Sequence, residues 1–304
     1  MKKIGLILTA LVLSVAFFAG CTPKTVNNEG NNGKIKVSTT INPVDQLVNI
    51  IGKDRVETSR MVPAGSEPHD FEPTIKDMGL LTETNLLFTN GLGMDTWVDK
   101  AVENSGNKSL KIVDLSTGVD LIPLDGQKSE TTVEQNAQGP NDPHIWLSLD
   151  ALVIMAENVE KELSLVSPKD ETFFKGNLET FKTEAAAMKV EYEEKFKPYK
   201  GKAFVTGHAA FGYLTRELGL IQKAVEGPFQ EGEPTPKSLE ELISFVKSEG
   251  IKTIFLEEQS SPKVSETLAR ETGSKTVVIN PLESDGELLP TLKETYDKIL
   301  ASFN

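Results

Sequence analysis

Cysteine occurs once in this chain of 304 residues, at Cys21. No disulfide can form within one chain from a single thiol, and no thiolate metal cluster or cysteine redox pair is available. Histidine is nearly as scarce: His69, His144 and His208 are the only three. None lies four residues from another, which excludes the His-Glu-x-x-His helix of zinc hydrolases. Basic charge is in deficit, with 32 Lys and Arg against 45 Asp and Glu and a net charge of −13. No local basic patch interrupts that balance, so binding to nucleic acid or to an anionic membrane face is not expected. Tandem repeats of solenoid length are absent as well.

One uncharged apolar run stands out, from Ile4 to Gly20, preceded by Met1-Lys2-Lys3. A basic start followed by an apolar stretch slightly short for a membrane span reads as a secretory leader. It ends in Phe18-Ala19-Gly20-Cys21, which resembles the lipobox of bacterial lipoproteins with Phe18 where leucine is usual. That resemblance implies a leader over 1–20 and a lipidated Cys21 as the mature first residue, anchored to the cell membrane on the extracytoplasmic side. A leader cleaved elsewhere and an N-terminal membrane helix are the competing readings. Several acyl chains would be needed for a stable anchor. Without Lys2 and Lys3 the balance is 30 basic to 45 acidic side chains, a charge of −15. Residues 21–34 are rich in Asn, Gly, Thr and Lys, the composition of a flexible tether.

Strand-like and helix-like runs alternate from there on, the pattern of an α/β protein. Strands are expected at 35–39, 86–89 and 110–114, and one ends near Met61-Val62. Helices are expected at 44–51 and 149–165. The cycle restarts with a strand at 203–206 and helices at 209–218 and 236–248. Strands at 253–256 and 276–279, separated by a helix at 262–271 and followed by one at 287–303, complete three strand-helix units. Between the halves, Ser167-Pro168-Lys169-Asp170 carries a capping serine, a proline suited to a first helical position and an early acid. Phe174, Leu178, Phe181, Ala185, Met188, Tyr192 and Phe196 follow at spacings of four and three, a single helical stripe that stops before Pro198. A rod of about 45 Å is long enough to cross two domains. The expected organisation is therefore two doubly wound α/β lobes, 35–166 and 199–304, joined by one long helix over 167–198.

Each histidine lies where a strand hands over to a helix. They occur in Pro68-His69-Asp70-Phe71-Glu72-Pro73, in Asp142-Pro143-His144-Ile145-Trp146 and in Thr206-Gly207-His208-Ala209. Ligands of open α/β sheets bind beyond the carboxyl ends of the strands. Three scarce histidines all at such edges, with none to spare, point to convergence on one metal.

These motifs, together with Glu231-Gly232-Glu233-Pro234-Thr235-Pro236-Lys237, resemble those of the zinc and manganese solute-binding lipoproteins of bacterial ABC transporters. The resemblance covers the whole mature length. It implies two ligands from each lobe, the fourth being a carboxylate within Ile279-Asn280-Pro281-Leu282-Glu283-Ser284-Asp285. Asn280 is a poor zinc ligand, so Glu283 is the expected fourth, with Asp285 in reserve. Three imidazoles and one carboxylate make a closed tetrahedral zinc site, whereas manganese prefers more oxygen and six positions. Zn(II) as transported cargo, an ABC permease as partner and a monomeric receptor follow from the resemblance. A manganese receptor of the same family and a metal-dependent surface adhesin are the alternatives. A zinc hydrolase would need Glu283 to be a base beside an open metal. The segment 126–139 lacks the histidines that many zinc receptors carry before their second ligand.

Overall fold

The computed structural model describes residues 33–124, 139–230, 234–258, 262–283 and 285–304. The leader, Cys21, the segment Glu231-Gly232-Glu233 and nearly all of 126–139 lie outside the described residues. No helix among the described residues is long and apolar enough to cross a membrane.

The first lobe is a parallel sheet of β1 (Ile35–Thr39), β2 (Val56–Arg60), β3 (Leu86–Thr89) and β4 (Lys111–Asp114), in the order β2-β1-β3-β4. Strand order reverses between β1 and β3, the doubly wound arrangement. Helix α1 (Asn42–Gly52) carries Pro43 in its first turn, where the missing N–H costs nothing, and buries Val44, Leu47, Val48 and Ile51. Helices α2 (Ile75–Leu80), α3 (Val98–Ser105) and α4 (Leu149–Val166) complete the lobe.

Then comes α5 (Glu171–Phe196), 26 residues or about 39 Å of rod. Its buried residues are the seven of the sequence stripe, from Phe174 to Phe196. Ser167 does not cap it as expected. The Ser167 hydroxyl donates to Asp170 Oδ2 at 2.6 Å, and Pro168–Asp170 is a separate 3-10 turn before the α-helix begins.

The second lobe repeats the first: β5 (Ala203–His208), α6 (Gly212–Leu218), β6 (Ile221–Glu226), α7 (Pro236–Glu249), β7 (Thr253–Glu257), α8 (Pro262–Thr272), β8 (Lys275–Ile279) and α9 (Leu288–Ala301). Its sheet is parallel with the order β6-β5-β7-β8. Two expectations are corrected here. Among the described residues this lobe has four strands rather than three, because β6 is a polar edge strand with no residue fully buried, and its Gln222 and Lys223 break the apolar pattern that marks a strand. Helix α6 begins at Gly212 rather than 209, since Gln222 Oε1 accepts from Phe211 N at 2.9 Å and holds the entry as a turn.

The larger hydrophobic core runs from Ile35 through α1, α4 and α5 to α6 and α9, and a smaller cluster around Val205, Leu242, Val246, Ile254 and Leu268 lies within the second lobe. Near its start α5 is tied to α1, Asn177 Nδ2 donating to the Ile51 carbonyl at 2.8 Å. Near its end Tyr192 donates to Asp297 Oδ1 on α9 at 2.6 Å and meets Tyr296 edge to face. The lobes are also tied directly. Trp146 Nε1 donates to Pro281 O at 2.7 Å, Tyr213 Oη to Asp142 O at 2.8 Å, and Leu149 N to Glu217 Oε2 at 2.9 Å. The carboxyl edges of both sheets are thereby held facing one place.

Candidate metal centre

Each of the four expected side chains reaches that place by its own local device. His69 rides on the proline-punctuated loop after β2, where its backbone N–H donates to Glu67 Oε1 at 3.3 Å. Phe71 secures the same loop edge to face on Trp97, and Phe229 of the other lobe covers the His69 ring at 5.9 Å. His144 lies at the mouth of the 3-10 turn leading into α4. Asp142 Oδ1 accepts from both its backbone N–H, at 2.9 Å, and its ring Nδ1, at 2.8 Å.

His208 is the last residue of β5, clamped at its backbone. Glu257, the last residue of β7, accepts from Gly207 N at 3.0 Å and from His208 N at 3.3 Å. Only glycine fits at 207, since a Cβ there would stand 2.3 Å from Glu257 Oε2. Gln222 Nε2 donates to the His208 carbonyl at 2.9 Å. Glu283 follows β8 on a loop in which Leu282 adopts φ +67°, the left-handed region that costs a branched residue free energy. Asn280 Oδ1 accepts from Leu282 N at 2.6 Å, and Leu282 is itself fully buried. Those two contacts hold the strained turn and aim Glu283 inward.

The result is a cage whose ligand-type atoms lie within 4.8 Å of one another. Glu283 Oε1 is 3.1 Å from His144 Nε2, 3.2 Å from His208 Nε2 and 3.5 Å from His69 Nε2, and the His144 and His208 Nε2 atoms are 3.3 Å apart. A tetrahedron with metal–ligand bonds of about 2.0–2.1 Å has edges of about 3.3 Å. Four of the six edges here fall at 3.1–3.5 Å. All four side chains are at most 2% exposed.

Hydrogen bonding alone leaves this cage unsatisfied. Asp142 Oδ1 accepts from His144 Nδ1, so a neutral His144 ring would turn its Nε2 lone pair toward the anionic oxygen of Glu283. Both ring nitrogens of His69, Nδ1 of His208 and Oε2 of Glu283 are buried without a hydrogen-bond partner. Buried polar atoms rarely go unpaired. A cation at the centre would satisfy the inward-facing ones together.

The electrostatics agree. Burial pushes the Glu283 carboxyl up, but the His208 charge and hydrogen bonds from His144 and His208 hold it well below the usual carboxylate range. Burial lowers His208, yet Glu283 raises it further, to about 9. His144 is likewise raised, its bonds to Asp142 and Glu283 outweighing burial, whereas burial leaves His69 lowered. Burial lifts Glu67 and Glu257 to about 7.

All four residues expected from the sequence meet. Asp285, the reserve, does not: it is 61% exposed and pairs with Arg60 at 2.6 Å. Asn280 also stays out of the cage, donating to Asp285 O and Glu258 Oε2. Thr235 in the Pro-Thr-Pro segment caps α7, accepting from Ser238 N at 3.1 Å. Asp142, Glu257 and Gln222 were not singled out by sequence reasoning. The first two were visible as an acid two residues before His144 and an acid ending an apolar strand, while Gln222 carried no signal.

The Asp142 contact has a measurable consequence. Replacing Asp142 with alanine frees the His144 ring and removes its proton acceptor, and such outer partners are worth about 10–100-fold in metal affinity. A loss of at least tenfold in chelator competition is expected, with Asp142→Asn recovering part of it. No loss would mean the Asp142 contact does not orient the ligand.

Two parallel α/β lobes on one spine, with three imidazoles and a carboxylate meeting between their carboxyl edges, define a bilobed α/β protein with a candidate metal site. The chain belongs to the ZnuA family, zinc-uptake complex component A periplasmic, whose model matches residues 37–302. It is 31% identical over 303 residues to the zinc-binding lipoprotein AdcA of Streptococcus pneumoniae strain TIGR4, covering 99% of this chain and 59% of that protein. It is 32% identical over 286 residues to a putative metal-binding protein of Treponema pallidum, covering 92% and 90%. The structure of a Zn(II)-bound AdcAII variant of S. pneumoniae superposes with a TM-score of 0.81 at 28% identity, covering 90% of this chain and all of that one. The chain thus spans just over half the length of the AdcA relatives it matches.

Proposed function

We propose that this protein is an extracytoplasmic zinc receptor that captures Zn(II) and delivers it to an ABC permease, with His69, His144, His208 and Glu283 as the four ligands. The observation that carries the reading is one buried carboxylate oxygen lying 3.1–3.5 Å from a nitrogen of each of three imidazoles, the edge length of a tetrahedral zinc site. Nitrogen-rich, four-coordinate geometry favours Zn(II) over Mn(II), which takes more oxygen and six positions. The names and bound zinc of the relatives support the same metal.

A receptor accounts for the cage better than an enzyme does. Catalytic zinc keeps one position open for water, and here Glu283 occupies the fourth corner within 3.5 Å of every imidazole. Capture is then an exchange of protons for metal: zinc needs neutral imidazoles, so loading drives off the protons that Glu283 holds on His208 and His144.

We place the functional boundaries at 1–20 for the leader, 21–34 for the tether from a lipidated Cys21, 35–166 and 199–304 for the lobes, and 167–198 for the linking segment. The receptor acts as an anchored monomer, and the acidic surface favours approach of cations.

The test is metal analysis of the protein purified from medium containing equal zinc and manganese, followed by competition between the two ions. Near one equivalent of zinc is expected, retained against a large manganese excess. Cells lacking their own zinc receptor should regain growth on scarce zinc when given this chain and its permease. Manganese winning the competition would overturn the metal assignment, and failure of growth rescue with a loaded protein would overturn the delivery role.

A further inference from the structure

Arg60 ends β2 in the first lobe, yet its guanidinium holds the loop that carries Glu283 in the second. Nη2 donates to Asp285 Oδ1 at 2.6 Å, Nη1 to Asn42 Oδ1 at 2.9 Å, and Nε to the Val62 carbonyl at 2.9 Å. Asn42, buried at the start of α1, donates in turn through Nδ2 to the Gly286 carbonyl at 3.2 Å. On the other flank of Glu283, Trp146 donates to the Pro281 carbonyl. Glu283 is therefore bracketed on both sides by hydrogen bonds from the opposite lobe.

Within its own lobe the loop is held more sparely. Thr295 donates to the Asn280 carbonyl at 3.0 Å, and Asn280 closes the loop on itself through Asp285 O. Leu282 meanwhile stores backbone strain at φ +67°. A strained loop relaxes unless its surroundings hold it, and the restraint from the opposite lobe comes from Trp146 on one flank and from Arg60 and Asn42 on the other.

We propose that Arg60 is a positioning residue for zinc: by gripping Asp285 and Asn42 together it keeps Glu283 Oε1 within reach of the three imidazoles and so slows metal release. An exposed ion pair alone contributes little. Arg60 differs because its planar fork uses three donors in fixed directions, only one of them on the exposed Asp285. Lysine, a single point charge, would not reproduce that grip. The inference rests on Glu283 being a ligand and adds the residue that keeps it in place.

The experiment measures zinc dissociation into excess chelator for the wild-type chain, Arg60→Ala, Glu283→Ala and the double variant, with melting of each metal-free protein as a folding control. Arg60→Ala is expected to release zinc about tenfold faster, the lower end of the effect of outer partners. Because Arg60 acts through Glu283, the same change in the Glu283→Ala background should add less than about twofold, a strong departure from additivity. Asp285→Asn should reproduce part of the Arg60→Ala effect from the other side, and Arg60→Lys should restore only a fraction. Unchanged release from Arg60→Ala, or effects that simply multiply in the double variant, would overturn the positioning role. Wild-type release from Glu283→Ala would overturn the ligand reading instead, and the proposal with it.

Discussion

Replacing His144 with alanine is expected to weaken zinc binding by at least about a hundredfold. Zinc held by a complete four-ligand set contributes on the order of 10–16 kcal/mol. An equal share for each ligand is about 3 kcal/mol, which corresponds to a factor somewhat above one hundred. His144 should exceed that share. Its removal leaves Asp142 without the ring donor at 2.8 Å and Glu283 without its nearest imidazole at 3.1 Å, both in buried surroundings. Each of these buried carboxylates loses one partner, which adds a desolvation cost to the lost bond. Competition against a chelator of known affinity provides the measure. Binding within threefold of wild type would remove His144 from the ligand set, and with it the tetrahedral reading.

The second large effect is of pH. An ordinary imidazole titrates near 6.5 and would leave zinc affinity flat above neutrality. Here Glu283 and its neighbours raise His208 to about 9 and raise His144 as well. A raised value means the ring keeps its proton to higher pH, so zinc must displace a proton throughout the physiological range. Affinity should rise about tenfold per pH unit for each proton displaced, at least about a hundredfold between pH 6.5 and 8.5. A plateau above pH 7 would contradict it.

The metal-free chain should show the opposite trend. A histidine raised from 6.5 to about 9 contributes stability that is complete below 6.5 and lost as pH climbs through about 9. Glu67 and Glu257, raised to about 7, act in the same direction, since their protonated forms suit burial and are lost as pH rises through about 7. Melting temperature should therefore fall with rising pH without zinc, while zinc affinity rises over the same interval.

Much of this architecture was legible in the chain itself. The stripe from Phe174 to Phe196 is the buried face of α5 residue for residue, because a long helix between two lobes makes one uninterrupted apolar seam. The three histidines were legible because they are scarce and lie at strand ends. Glu283 was harder: Asp285 has the same chemistry two residues away, and only the turn at Leu282 separates an inward acid from an outward one.

What stayed hidden depends on partners distant in sequence. Strand β6 has no apolar signature because it is an edge, and its Gln222 acquires a role only when the sheet brings it beside His208. Arg60 and Asp285 are 225 positions apart, a pairing that no local pattern reveals.

The seam along α5 has a consequence for how the chain responds to its cargo. One core passes from the first lobe through α5 to α9, so the two lobes share packing along that seam. Free energy delivered at four atoms is then shared across it. At a zinc concentration about a thousand times the dissociation constant that stabilisation is about 4 kcal/mol. Zinc bound at the cage would thereby be registered as a higher melting temperature along the whole seam.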